Sequence, residues 1–395
     1  MLYLIILMKT REISKPMNKK SEPIILAIDT SCDDTSVAVL KGRRVLSSII
    51  SSQIELHKKW GGVVPDIARR AHQENISKVY QEALKRAKIT EAEIEFVAVT
   101  YGPGLAIALE VGVAFAKELA YSHKKKFVPI NHMEGHMLAS FILNQKGNGK
   151  IETNKEKAVF PALALLMSGN HTEIIHAEAL NKYTVIGETL DDAAGEAFDK
   201  VARMMDIGYP GGPILTLLAG RASAKWSDKL SGQKERGDGK PLIEIAGRFG
   251  LPIPMIRSKD LNFSFSGLKT ACLYRIKDLR LRSKKDSDWT YDFSREFINA
   301  VSRSMSVKLK KAIKLHPEIR SVIIGGGVSN NKYIVRETGT LVRKLGKKYF
   351  IPEARFRSDN AGMIGIAAYY NIISKKYWLE GEDILTIDRK PMLKL

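Results

Sequence analysis

Residues 24–51 read Ile24-Ile-Leu-Ala-Ile-Asp-Thr-Ser-Cys-Asp-Asp-Thr-Ser-Val-Ala-Val-Leu-Lys-Gly-Arg-Arg-Val-Leu-Ser-Ser-Ile-Ile-Ser51. An apolar run over Ile24–Asp29 has the length of a buried strand, and a polar turn follows over Thr30–Thr35. A second strand over Ser36–Leu40, a tight turn at Lys41-Gly42 and a third strand over Arg43–Ser51 complete a three-stranded meander with a hydroxyl-rich first turn. The same plan recurs from Pro161. It places strands over Ala162–Met167, Glu173–Ala177 and Tyr183–Gly187, with the first turn now Ser168-Gly-Asn-His-Thr172.

Each meander is followed by helix and then by an apolar strand that ends in glycines and opens another helix. In the first half these are Phe96-Val-Ala-Val-Thr-Tyr-Gly-Pro-Gly104 and Leu105–Ser122; in the second, Ser321-Val-Ile-Ile-Gly-Gly-Gly327 and Asn330–Leu345. Strand, glycine turn and helix form a βα unit of an α/β sheet. Two such halves facing one another enclose a cleft whose hydroxyl turns and glycine loops suit phosphates and ribose. The plan resembles the duplicated two-lobe α/β fold of the actin, Hsp70 and hexokinase (ASKHA) superfamily. We expect a disordered extension over 1–22, a first lobe over 23–143, a second lobe over 144–375 with a helical insertion at about 189–315, and a tail over 376–395. Residues 225–240 and 144–157 read as loops.

The first half ends in Phe127-Val-Pro-Ile-Asn-His-Met-Glu-Gly-His136. On a helix, His132 and His136 lie one turn apart on one face, a spacing that holds a divalent metal. A metalloprotease helix carries its glutamate directly after the first histidine, whereas Glu134 sits two residues on, which disfavours peptide hydrolysis. The competing reading is a pair of helix-start histidines bonded to neighbours.

The insertion opens with Asp191-Asp-Ala-Ala-Gly-Glu-Ala-Phe-Asp199. On a helix Asp192, Glu196 and Asp199 share a face, and crowded carboxylates need a cation, a ribose or a basic partner. Attraction to a helix N-terminus accounts for Asp191 and Asp192 but not for Asp199.

Among the 395 residues, 63 Lys and Arg against 43 Asp and Glu give a net charge of +20, which fits a polyanionic partner such as nucleic acid and fits a solvated lysine-rich surface equally well. The cluster Lys124–Lys126 precedes the histidine strand and is expected to bring an RNA backbone near the ion. Only Cys32 and Cys272 occur, so no disulfide framework or four-cysteine zinc site is available, and a reducing cytosol fits. The apolar start Met1–Met8 is too short to span a bilayer and lacks a signal peptide's basic region and cleavage site.

Taken together, Asp29-Thr-Ser-Cys-Asp-Asp-Thr35, Gly102-Pro-Gly-Leu105, Asn131-His-Met-Glu-Gly-His136, Ser168-Gly169, Asp191–Lys200, Tyr209-Pro-Gly-Gly-Pro213, Phe263–Lys269, Gly325–Asn331 and Ser358-Asp-Asn-Ala-Gly-Met-Ile364 resemble the TsaD family of tRNA-modifying transferases, from about Ile24 to Tyr370. The resemblance implies transfer of a threonylcarbamoyl group from threonylcarbamoyl-AMP to N6 of adenosine 37 in tRNAs reading codons that begin with A. It implies one divalent metal, Fe(II) ahead of Zn(II), on His132, His136 and Asp359. It also implies substrate contacts at Leu166, Met167, Ser168, Gly169, Asn170, Asp199, Gly212 and Asn331, with Asp33 and Asp34 as candidate catalytic acids. Implied partners are tRNA, threonylcarbamoyl-AMP and TsaB-like and TsaE-like proteins, in the cytoplasm and without a membrane.

The chain departs from the family pattern in carrying Asp29 and Asp34 where glutamates are usual, Asn170 where glycine is usual, and Leu105–Glu110 in place of a small-polar segment. An asparagine in that turn tolerates a left-handed conformation better than most non-glycine residues. A scaffold paralogue is the alternative from another class, although it would be expected to lose the metal ligands. A metabolite kinase of the same superfamily has no use for the histidine pair.

Overall fold

The structure, a computed structural model, describes residues 22–152, 155, 158–222, 247–282, 289–375 and 377–395. Its first sheet contains β1 (Ile24–Asp29), β2 (Asp34–Lys41), β3 (Arg44–Ser52), β4 (Phe96–Gly102) and β5 (Lys126–Asn131), in the order β3-β2-β1-β4-β5. The second contains β6 (Ala162–Met167), β7 (Thr172–Ala179), β8 (Lys182–Glu188), β9 (Ser321–Gly325) and β10 (Lys348–Phe350), in the order β10-β9-β6-β7-β8. Substituting β6 to β10 for β1 to β5 converts one order into the other. The directions also agree, because each meander is antiparallel and each later pair parallel. All six residues of β6 are buried, as an unbroken apolar run must be when both faces of its sheet are covered.

After the short α1 (Ile54–Lys58), helices α2 (Pro65–Ala87) and α3 (Ala106–Ser122) cover the outer face of the first sheet through Ile76, Val79, Tyr80 and Val113. Five helices pack together with the second sheet: α5 (Ala194–Met204), α6 (Gly211–Ala219), α7 (Ser266–Arg282), α8 (Trp289–Leu315) and α9 (Lys332–Lys344). Their amphipathic faces surround Phe198, Phe297 and Val301.

One buried cluster belongs to both sheets. It joins Ala27, Ala38 and Leu40 of the first to Ala164, Leu166 and Ile323 of the second, and it contains α4 (His132–Leu138) and α10 (Ala361–Tyr370). Helix α10 follows the last strand of the second sheet but packs against β1, β2 and α4 of the first half. The segment 377–395 likewise returns to the first sheet. Leu379 and Phe127 exchange backbone hydrogen bonds at 2.8 and 2.9 Å, and the Lys390 amide donates to the Tyr101 carbonyl at 2.6 Å.

Lys124–Lys126 do not lie beside the histidines. They stand at the start of β5, five residue steps of ~3.3 Å from its other end, so roughly 17 Å of strand intervenes. Lys126 Nζ sits 4.8 Å from the centre of the Trp378 ring and 5.2 Å from that of Phe96, and Lys125 Nζ donates to the Ala92 carbonyl at 3.1 Å. The expected route of RNA past this cluster to the ion is therefore not supported. The loop over 225–240 and the extension over 1–21 fall outside the described residues, and 144–157 is described only in part.

Because α10 fills the space between the sheets, truncating it should cost more than its own transfer energy. Ile364→Ala is expected to lower stability by about 2–5 kcal/mol in urea unfolding. Ile373→Ala, at a position 42% exposed, is the control and should stay within about 0.5 kcal/mol of wild type.

Candidate metal centre and nucleotide cleft

The apolar run of β5 ends at Asn131, whose side-chain oxygen accepts from the Met133 amide at 2.8 Å and so starts α4 as its N-cap. His132 and His136 then share the face of α4 that looks into the cleft, with ring centroids 4.7 Å apart. Asp359 comes from the turn before α10. Its neighbour Asn360 caps that helix by accepting from the Met363 amide at 3.0 Å, and the Ala361 amide donates to Ser36 Oγ at 2.9 Å. These bonds bring Asp359 Oδ1 to 3.1 Å from His136 Nε2 and 3.4 Å from His132 Nε2.

Both ring nitrogens of His136 and the Nδ1 of His132 are buried with no hydrogen-bond partner among the described residues. Orphaned imidazole nitrogens are costly, and coordination removes the cost. Two ligands each ~2.1 Å from one ion at a tetrahedral angle stand ~3.4 Å apart, close to the separations seen. The residues therefore fit a metal, and two nitrogens with one oxygen suit a divalent transition ion better than magnesium or calcium. Burial alone would depress His132, but Asp359 and Asp29 hold its imidazole up at about 10. Burial pushes His136 down, and it would push Asp359 up were that carboxyl not held well below its ordinary range by the two imidazoles. Glu134 turns away and accepts from Asn371 Nδ2 at 3.1 Å.

Two cavities open beside this centre. The first, of 230 Å³, is lined by His132 and Asp359, by Cys32, Asp33 and Asp34 of the first turn, and by Ser168, Gly169, Asn170 and His171 of the second. The other, of 390 Å³, is lined by Asp199, Gly212, Thr216, Asn330 and Asn331. Gly169, Pro210, Gly327 and Ser358 line both, so the cavities are contiguous.

In the 390 Å³ cavity Asp199 commits one oxygen to the Gly211 amide at 2.7 Å, and burial, against that hydrogen bond, pushes its carboxyl up to about 6. Asn331 caps α9 by accepting from the Tyr333 and Ile334 amides, and its Nδ2 donates to Thr216 Oγ1 at 2.9 Å. A side chain at Gly212 would project into open space, which is the cavity itself.

The glycine run after β9 has separate tasks. A Cβ on Gly325 would stand 2.6 Å from the His136 carbonyl, so α4 lies directly on this strand. At Gly326, φ is +84° and a Cβ would meet the Met167 carbonyl at 2.3 Å. Gly327 faces both cavities.

Several expectations change here. Leu166 and Met167 point into the core, and only Ser168, Gly169 and Asn170 reach a cavity. Asn170 is not in the left-handed region. Asp192 precedes α5 rather than sharing its face with Glu196 and Asp199, and lysines meet both Asp192 and Glu196. Lys200 Nζ lies 2.8 Å from Asp192 and 2.7 Å from Glu196, and Lys269 Nζ lies 2.6 Å from Asp192. Asp191 caps α7, accepting from the Phe265 amide at 2.8 Å. His171, which its place in the second turn does not single out, is half-buried near His132 and His136, and desolvation and their charge push it down to about 4.

Asp33 and Asp34 face the smaller cavity. Burial, then the Asp359 charge, raises Asp33, against a hydrogen bond from the Cys32 thiol. Burial pushes Asp34 from 3.8 up to about 7, with a hydrogen bond from Ser52 opposing and the charges of Asp33, Asp359 and Asp29 adding to the rise. A folded-state value above the unfolded one means that stability from Asp34 is full below pH ~4 and is lost as pH rises towards ~7. Asp34→Asn, in chelator-treated protein, is expected to be more stable than wild type at pH 8 by a few kcal/mol, since each tenfold rise in proton affinity on folding is worth ~1.4 kcal/mol, and nearly equal at pH 4. Thermal unfolding at the two pH values checks this.

The profile of a family described as TsaD: tRNA N6-adenosine threonylcarbamoyltransferase matches residues 44–366. A tRNA N6-adenosine threonylcarbamoyltransferase of Thermosipho melanesiensis is 42% identical over 374 residues, covering 94% of this chain and 100% of the relative. One of Clostridioides difficile is 40% identical over 357 residues, covering 90% and 95%. Among solved structures, full-length HypF in its phosphate- and nucleotide-bound form superimposes with a TM-score of 0.52 at 13% identity, over 90% of this chain and 47% of HypF. That likeness is one of fold.

Proposed function

Since this chain belongs to the TsaD family and has the two-lobed fold of actin, Hsp70 and hexokinase, we propose that it transfers a threonylcarbamoyl group from threonylcarbamoyl-AMP to N6 of adenosine 37 in tRNAs reading codons that begin with A. The observation that carries the reading is the continuity of two cavities, one at the His132–His136–Asp359 centre and one lined by Asp199, Gly212 and Asn331.

The adenylate end of the donor occupies the 390 Å³ cavity, where the second oxygen of Asp199 accepts from ribose hydroxyls and Gly212 leaves room for the nucleoside. Ser168, Gly169 and Asn170, on the wall shared with the smaller cavity, orient the phosphate and the acyl group. His132, His136 and Asp359 would hold a divalent ion, iron(II) ahead of zinc(II), which would supply Lewis-acid polarisation of the carbonyl under attack. N6 of the tRNA adenosine enters the smaller cavity and bonds to the carbamoyl carbon. The bond from that carbon to the phosphate oxygen breaks, and AMP leaves. The proton lost by N6 passes to Asp34 or Asp33, whose raised affinities suit a base near neutral pH. Such a reaction belongs in the cytoplasm with TsaB-like and TsaE-like proteins, and no helix among the described residues is long and apolar enough to cross a membrane.

Depleting the protein should remove threonylcarbamoyladenosine from tRNA, as read by mass spectrometry of nucleosides. Wild type is expected to restore it and His132→Ala is not; unchanged tRNA after depletion would overturn the assignment. Asp199→Ala should weaken binding of a nonhydrolysable adenylate analogue by ~1–3 kcal/mol in calorimetry. It should also lower stability by ~1 kcal/mol, because the Gly211 amide loses its acceptor.

A further inference from the structure

A second convergence of metal-type ligands lies away from the cleft, on the second lobe. His176 projects from β7, where its cross-strand neighbours are Leu163 of β6 and Thr184 of β8. His316 and Glu318 come from the turn between α8 and β9, in the run Leu315-His-Pro-Glu-Ile319. Glu318 Oε1 lies 3.2 Å from His176 Nε2 and 3.2 Å from His316 Nδ1. The two rings stack with centroids 4.5 Å apart and planes 24° from parallel. All three ligand atoms lie within 4.8 Å of one another.

Hydrogen bonding alone leaves this group incompletely satisfied. His316 Nδ1 bonds to Glu318, whereas His176 Nε2 is buried and makes no hydrogen bond among the described residues although the same oxygen is 3.2 Å away. A single carboxylate oxygen therefore faces two imidazole nitrogens and serves one. With the partly exposed His316 ring turned out of the stack, so that its in-plane lone pair converges with that of His176, an ion among the three would take a lone pair from each. The 3.2 Å separations are within a few tenths of an ångström of the ~3.4 Å that ligands ~2.1 Å from a tetrahedral ion require. The donor set is the nitrogen, nitrogen, oxygen combination of the cleft centre.

We propose that His176, His316 and Glu318 form a second metal site, selective for borderline divalent ions of the zinc class. Two imidazoles exclude magnesium and calcium as natural occupants, which take oxygen ligands. Glu318 is 48% exposed, so the fourth position faces solvent and takes water or a ligand from outside. An ion there ties β7 to the start of β9. These strands flank β6 on either side, and β6 leads into Ser168–Asn170.

The test counts ions. Full-length protein stripped with chelator and reloaded with zinc(II) at low micromolar free concentration should hold about two ions per chain by elemental analysis. His176→Ala and Glu318→Gln should each hold about one, as should His136→Ala, and His136→Ala combined with His176→Ala should hold close to none. Cobalt(II) substitution adds a spectroscopic check: the absorption bands of four-coordinate cobalt should persist in His136→Ala and vanish when His176→Ala is added. Circular dichroism establishes that each variant is folded, and Glu318→Gln, nearly isosteric and at the surface, serves where His176→Ala does not fold. Magnesium should not protect the site from zinc. One ion per chain in wild type, a count unaffected by His176→Ala or Glu318→Gln, or filling of the second site only at millimolar zinc would overturn the proposal.

Discussion

The two lobes are held by one buried apolar seam, and the chemistry of the cleft is referenced to it. Helices α4 and α10 lie in the seam between the sheets, and the metal-type ligands sit at its mouth: His132 and His136 on α4, and Asp359 in the turn before α10. A carboxylate and two imidazoles could not otherwise be held within 3.4 Å by residues more than two hundred positions apart in sequence. Apolar burial provides the constraint, and the polar centre exploits its rigidity. This also accounts for Gly325, where any side chain would push the second sheet off the backbone of α4.

The acids of the first turn occupy the other extreme. Asp33 and Asp34 share a partly enclosed space with each other and with Asp359, and burial, with the neighbouring carboxylate charges adding to it, makes ionisation of Asp33 and Asp34 expensive. Folding would be easier without them. Their retention at the wall of a cavity that also contains the His–Asp centre is the pattern expected where stability is surrendered for proton chemistry. Asp192 and Glu196, equally conspicuous in sequence, carry no such cost because Lys200 and Lys269 neutralise them.

Much of this is legible in the sequence because it depends on local periodicity. The apolar runs of β1, β6 and β9 and the turns between them define both meanders, and the i, i+4 spacing of His132 and His136 places them on one helix face. What stays hidden depends on contacts distant along the chain. Nothing near Asp192 announces Lys269, and nothing in Lys124–Lys126 tells that Trp378 covers one of them. The acidic run misleads because its helix begins at Ala194, after Asp192, so the expected shared face does not exist. Likewise, Leu166 and Met167 belong to a motif whose backbone shapes the site while their side chains build the core.

The return of residues 377–395 to the first sheet has a consequence for genetics. That segment pairs with β5 through Leu379, and the Lys394 carbonyl accepts from Asn131 Nδ2, the side chain that starts α4. A late nonsense codon would remove no ligand and no residue lining either cavity, yet it would loosen the cap on which His132 and His136 depend. In a screen such an allele would be scored as an active-site lesion, and suppressors of it would be sought in the wrong part of the chain.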